Sequence, residues 1–320
     1  MPVLDMPLSK LKTYQGINPC PADIDEFWDR SIAEMEALGT GYELEKADFQ
    51  VPGVECWHLY FKGVKGARIH CKFLRPEKID KPMPAICVFH GYAGHAPDFF
   101  SLLSHVQSGF IVAAMDCRGQ GGWSEDVGGV KGNTLHGHII RGLDENDPSR
   151  LLFRDIFLDS AQLPRILMAM PEVDETRVCA MGGSQGGALT LSCAALTPNL
   201  FRAAPVYPFL CDYKRVWEMD LDKDAYKELR DYFRLFDPTH EREDEVFMLL
   251  GYIDNQHIAH RTKAEVLMFT GLLDNICPPS TQFAAYNKMT CPKNMVIYPD
   301  FGHENLPQHA DKTIQFFLKD

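Results

Sequence analysis

From Pro84 onward, short apolar segments alternate with stretches of helical character, and this alternation most restricts what the chain can fold into. "PAICVFHGY" (84–92), "FIVAAMDCRGQGG" (110–122), "VCAMGG" (178–183), "AAPVYPF" (203–209), "AEVLMFTG" (264–271) and "KNMVIYP" (293–299) are the apolar segments. Unbroken apolar runs of this length suit strands buried on both faces. Helices fit between them: "APDFFSLLSHVQSG" (96–109), "LLFRDIFLDSAQLPRILMAM" (151–170) and the closing "LPQHADKTIQFFLKD" (306–320). Pro164 predicts a kink or interruption in the second. Strand–helix repetition predicts a mostly parallel twisted sheet flanked by helices, an α/β class.

Two regions depart from the repeat. The stretch 1–45 reads as an N-terminal helical extension, with Phe27, Trp28, Ile32 and Met35 on one stripe and Asp23 or Asp25 as the cap. "VECWHLYFKGV" and "ARIHCKFLRP" then read as an antiparallel hairpin. Between about 211 and 261 the chain is charged, aromatic and helical, with no strand of its own. It is expected to be a helical insertion over the strand ends, before the strand "AEVLMFTG". Asp220, Asp222 and Asp224 lack the glycine and closing glutamate of a calcium loop and fit a solvated face. Without a linker or repeat, one domain over 1–320 is the simplest division.

The net charge of −12 argues against nucleic acid or an anionic membrane as partner. No apolar run approaches a membrane span, and "MPVLDMPLSKLKTYQG" has no apolar core of a secretory signal. Cytoplasmic residence is the expectation. The 10 cysteines fit it. Cys71, Cys87, Cys117, Cys179 and Cys193 sit in apolar segments without a C-x-x-C, as free thiols do in a reducing compartment. No cysteine pair has metal-ligand spacing, and His136 and His138 lack a third ligand nearby, so neither metal nor cofactor is expected.

The chemistry centres on "GGSQGG" (182–187). Gly183-Ser184-Gln185 lies where an apolar strand meets a helix and fits G-x-S-x-G, a sharp turn that exposes the serine hydroxyl. Alone, such a turn also serves as a phosphate cradle or a plain tight turn. A serine nucleophile needs a base and a carboxylate to orient that base. Asp274 follows the strand "AEVLMFTG" and His303 follows "KNMVIYP", so Ser, Asp and His arrive in order at strand ends. Asp274 also fits a helix cap, and Asp300 is a rival carboxylate. His90 is a rival base on a loop outside that order. The oxyanion donors expected are the amides of Gln185 and Tyr92. Tyr92, Ile276 and Pro278 are expected to wall a small acyl pocket.

Together these residues resemble a known family. "RGQGG" (118–122), "GGSQGG" (182–187) and "HE" (303–304), with "FWDRSI", "HGYAGH" and "GHIIRGL", are similar to the signature of the acetyl xylan esterase and cephalosporin C deacetylase group, carbohydrate esterase family 7. The resemblance spans nearly the whole chain. It implies an α/β-hydrolase fold and a metal-free cytoplasmic serine esterase acting on small acetylated sugars and cephalosporin C. It also implies Ser184 as nucleophile, Asp274 and His303 as its partners, Tyr92 and Gln185 as oxyanion donors, and Arg118, Gln120 and Glu304 as supports. A homo-hexamer with inward-facing sites is implied as well. A peptidase or dienelactone-type hydrolase, or an inactive hydrolase fold serving as a binding protein, are the other readings.

Overall fold

The computed structural model describes residues 4–127, 133–143 and 146–319. Its centre is one nine-stranded sheet. The strands are β1 (Tyr42–Lys46), β2 (Val54–Lys62), β3 (Arg68–Pro76), β4 (Met83–Phe89), β5 (Ile111–Met115), β6 (Val173–Gly183), β7 (Arg202–Val206), β8 (Glu265–Gly271) and β9 (Lys293–Tyr298). They lie in the order β1-β2-β3-β5-β4-β6-β7-β8-β9. Pairing is parallel from β5 through β9 and antiparallel among β1, β2, β3 and β5.

The apolar runs are continuous because both faces of the parallel block are covered. In β4, Ala85, Cys87 and Phe89 enter one core and Ile86 and Val88 the other, as a two-residue period requires. Helices Ile24–Glu36, Leu152–Met168 and Gln185–Leu196 close the first face. Helices Phe99–Gln107 and His309–Leu318 close the second.

Three local expectations are corrected. The stretch 1–45 is not helical throughout, since Tyr42 begins β1 on the sheet edge. Helix Leu152–Met168 runs through Pro164 without a break. Its neighbours Leu163, Ile166 and Leu167 are fully buried, and burial of about 1.5–3 kcal/mol per side chain outweighs the roughly 3 kcal/mol that an interior proline costs. Asp23 stands at the start of helix Ile24–Glu36 but its side chain makes no capping bond. It accepts instead from the Tyr252 hydroxyl at 2.5 Å.

The insertion holds helices Tyr213–Glu218, Lys227–Phe236, Glu243–Leu250 and Asn255–Ile258, with no strand among its described residues. Asp220 and Asp222 are ion-paired to Arg230. The N-terminal extension is fastened to the insertion. Asp212 accepts from the Tyr14 hydroxyl at 2.8 Å and from the amides of Ile17 and Asn18 at 3.0 and 2.8 Å. Asp5 accepts from Arg215 at 2.8 Å and from the Ser280 amide at 2.7 Å.

Candidate active site

The parallel strands deliver Ser184, Asp274 and His303 to one edge of the sheet, just past the ends of β6, β8 and β9. Ser184 has φ +58° and ψ −118°, a conformation that side chains other than glycine rarely adopt. Its amide donates to the Val206 carbonyl at 3.0 Å and its carbonyl accepts from the Phe209 amide at 3.1 Å, so β7 and the chain after it hold the strained residue in place. The turn demands glycine where backbones meet. A Cβ on Gly186 would stand 2.1 Å from the Phe89 carbonyl oxygen, and one on Gly182 2.6 Å from the same atom.

Asp274 is fully buried and meets His303 Nδ1 through Oδ2 at 2.9 Å. Its Oδ1 accepts from the amides of Ile276 and Cys277 at 2.9 and 2.8 Å. Asp300 is exposed. His90 is buried with both ring nitrogens occupied: Nε2 accepts from the Cys117 amide at 2.9 Å and Nδ1 donates to the Gly91 carbonyl at 2.7 Å. It has no nitrogen left for Ser184.

Among the described residues, no hydrogen bond joins Ser184 to His303. The Ser184 side chain neighbours the Cys277 thiol, which burial pushes well above its ordinary value. The ligating atoms of Asp274, Cys277 and His303 lie within 4.8 Å of one another. Of all the candidate residues these three could hold a metal ion, a grouping the cysteine spacing does not reveal.

Gln185 is buried, and its side chain forms a reciprocal amide pair with Gln120, at 2.7 and 3.0 Å. Neither the Gln185 nor the Tyr92 amide finds a protein acceptor among the described residues; the first amides of a helix have none within the helix. Arg118 makes no hydrogen bond to the serine turn among the described residues. It holds Asp159 of helix Leu152–Met168 with two bonds of 2.5 and 2.7 Å, both residues being almost fully buried. Glu304 is exposed and accepts from the Gly302 amide at 3.0 Å, closing the turn before His303. Ile276 is half-buried beside Asp274, and Pro278 is buried at the start of helix Pro279–Lys288.

The model of the family described as "Acetyl xylan esterase (AXE1)" matches residues 1–320. The chain belongs to the acetyl xylan esterase family. It is accordingly a carboxylic ester hydrolase, and its sheet is that of the α/β-hydrolase fold. The crystal structure of acetyl xylan esterase 1 from Thermoanaerobacterium sp. JW/SL YS485 is 56% identical, with a TM-score of 0.95 over 98% of this chain and 99% of that one. The acetyl xylan esterase from Paenibacillus sp. R4 is 33% identical, with a TM-score of 0.91 over 98% and 99%. Acetyl esterase Axe7A of Xylanibacter ruminicola is 25% identical over 94% of this chain and 70% of its own length. Among the described residues no helix is long and apolar enough to cross a membrane.

Two neighbours of the site in this esterase escape the sequence patterns. The Tyr207 ring lies 4.4 Å from the His303 ring and would touch a Cβ on Gly183 at 3.4 Å, so it fills the corner between the serine turn and the histidine. Burial and the nearby Asp274 charge both raise its phenol above the ordinary range. Its place at the end of β7 was the available signal. Glu228 is buried on an insertion helix and accepts from the Tyr92 hydroxyl. In sequence it is one acidic residue among many.

Proposed function

We propose that this esterase removes acetyl groups from small substrates, acetylated xylo-oligosaccharides and cephalosporin C among them, through an acyl-enzyme formed on Ser184. The hydrogen bond between Asp274 and His303, beside the turn that presents Ser184, carries the proposal. The Asp274 carboxylate fixes the proton on His303 Nδ1 and leaves Nε2 as the acceptor. The Ser184 proton passes to Nε2 as Oγ bonds the acetyl carbon. The protonated imidazole then gives that proton to the departing alcohol oxygen as the ester C–O bond breaks. Water repeats the sequence on the acyl-serine and releases acetate. The amides of Gln185 and Tyr92 receive the oxyanion in both halves.

The lack of a resting hydrogen bond between Ser184 and His303 among the described residues is compatible with this chemistry. Such contacts commonly tighten only when substrate binds.

A homo-hexamer in the cytoplasm completes the proposal. Leu235 and Phe236, 72% and 69% exposed at the end of an insertion helix, are the apolar surface that assembly would cover. The free cysteines support a reducing compartment. Light scattering on the purified protein gives the subunit number.

Ser184→Ala decides the central claim. Its kcat on p-nitrophenyl acetate should fall about 10⁵- to 10⁶-fold. A serine-directed organophosphate should add once per chain, at Ser184, by intact-mass and peptide mass spectrometry. Full activity in the variant would remove the nucleophile assignment, and no activity in the wild type would leave the inactive-fold reading.

A further inference from the structure

Glu228 lies on helix Lys227–Phe236 of the insertion, is 5% exposed, and accepts three hydrogen bonds. Its Oε1 takes the Tyr92 hydroxyl proton and the Gly137 amide, the latter at 2.8 Å. Its Oε2 takes the Ile139 amide at 2.8 Å. The His138 amide donates in turn to the Tyr92 hydroxyl at 3.3 Å. One carboxyl group thus gathers three separate pieces of chain: the insertion, the loop after β4 and the segment 137–139.

What it grips leads to the nucleophile. The Tyr92 ring packs edge-on against Phe209, with centroids 5.7 Å apart. The Phe209 amide holds the Ser184 carbonyl at 3.1 Å. The Tyr92 loop also abuts the serine turn, because a Cβ on Gly186 would meet the carbonyls of Phe89 and His90. A phenol anchored at its hydroxyl end has its ring plane and its backbone fixed together.

We propose that Glu228 is a positioning residue: by holding the Tyr92 hydroxyl it sets the wall and the backbone amide over Ser184, and so makes the helical insertion a determinant of acyl size. This rests on the proposed serine esterase mechanism. The pocket keeps its small volume only while the insertion is docked through this carboxyl group. A glutamine cannot replace the ionised carboxylate, and the assays are run at pH 8, where that form is present. The glutamine –NH₂ either faces the Ile139 amide or faces Gly137 and the Tyr92 hydroxyl, so at least one donor loses its acceptor.

The test compares Glu228→Gln, Tyr92→Phe, the double variant and Glu228→Asp. The readout is the ratio of kcat/KM for p-nitrophenyl acetate to that for p-nitrophenyl butyrate. A merely destabilised enzyme loses activity on both esters together and keeps the ratio. Glu228→Gln and Tyr92→Phe should each lower the ratio by about fivefold or more, since one methylene in a fixed pocket is worth about 10–200-fold. kcat for acetate should fall by roughly 10-fold or more with KM little changed, as expected when a pre-set geometry is lost. The double variant should be no worse than the worse single, because both loosen the same group of Tyr92, Glu228 and segment 137–139. Glu228→Asp should recover part of the ratio. An unchanged ratio in folded Glu228→Gln, or additive losses in the double variant, overturns the inference. If Glu228→Gln does not fold, Tyr92→Phe decides alone by the same ratio. Ser184→Ala runs in parallel: activity surviving in it refutes the esterase mechanism itself, whereas a dead Ser184→Ala beside an unaffected Tyr92→Phe refutes only the role of Glu228.

Discussion

Asp274 offers different oxygens to its two kinds of partner: Oδ2 to His303 at 2.9 Å, and Oδ1 to the amides of Ile276 and Cys277. Neither oxygen is spare. In Asp274→Asn, the amide nitrogen must face either the histidine or two backbone donors. The better-satisfied arrangement keeps the oxygen on the amides and turns –NH₂ toward Nδ1, which forces the proton onto Nε2. A serine cannot then hand its own proton over, and kcat should fall about 10⁴-fold with the fold intact. Circular dichroism with p-nitrophenyl acetate kinetics checks this. A variant within tenfold of wild type would mean that His303 takes its tautomer from elsewhere.

Arg118 and Asp159 make the opposite kind of prediction, one of stability. Burial pushes the Asp159 carboxyl up to about 6 even with the guanidinium against it. Arg118→Met strands that carboxyl and should cost about 3–5 kcal/mol. At roughly 2–4 °C per kcal/mol for a large domain, Tm should drop by about 5 °C or more. Adding Asp159→Leu should return part of the loss, because two apolar side chains need no partner. A Tm unchanged in Arg118→Met would show the pair to be ornamental.

Acyl length tests the pocket as a whole. Tyr92, Ile276 and Pro278 are proposed as walls, and fixed walls resist added methylenes at about 1–3 kcal/mol each. kcat/KM should fall about tenfold or more from p-nitrophenyl acetate to butyrate, and further to octanoate. Acetylated xylose should be turned over and a peptide anilide should not. Octanoate matching acetate would exclude a small acyl pocket.

Burial also raises the Glu228 carboxyl to about 7, the amides of Ile139 and Gly137 opposing without prevailing. The folded protein therefore holds this proton more tightly than the unfolded chain does. The stability that Glu228 contributes is complete below its ordinary value of 4.5 and is lost as pH rises toward 7. Glu228→Gln has no such loss. Its Tm deficit against wild type should be largest near pH 5 and smaller near pH 7.5. The facing titratable groups are Tyr92, His136 and His138, and burial lowers His138 to about 4, so its ring stays neutral over this range. A deficit that grows with pH would mean that Glu228 is an ordinary low-pKa carboxylate.

The parallel strands and the serine turn were legible because their signals are local. Five consecutive apolar residues, or a serine among glycines, announce themselves within one turn of chain. β1 was not, because "YELEK" is an edge strand with four of its five residues exposed and so carries no buried face to pattern. Asp274 and His303 could be placed because each follows a recognisable strand. Glu228 could not, since its partner Tyr92 is 136 residues away and no spacing rule connects a helix in an insertion to a loop after β4. Cys277 carried no signal of its own in the sequence, because only folding sets its thiol beside Ser184.

The attachment of Asp5 to Arg215 and Ser280 bears on how the molecule is made. Those partners lie 210 and 275 residues further along the chain. During synthesis Asp5 emerges long before either partner, so these contacts wait until Ser280 has followed. Ser280 stands six residues past Asp274, so this clasp closes beside the carboxylate that meets His303. A nascent chain thus lacks this clasp, β9 and His303 alike until its last residues have emerged, which makes catalytic competence a late event in the life of each new molecule.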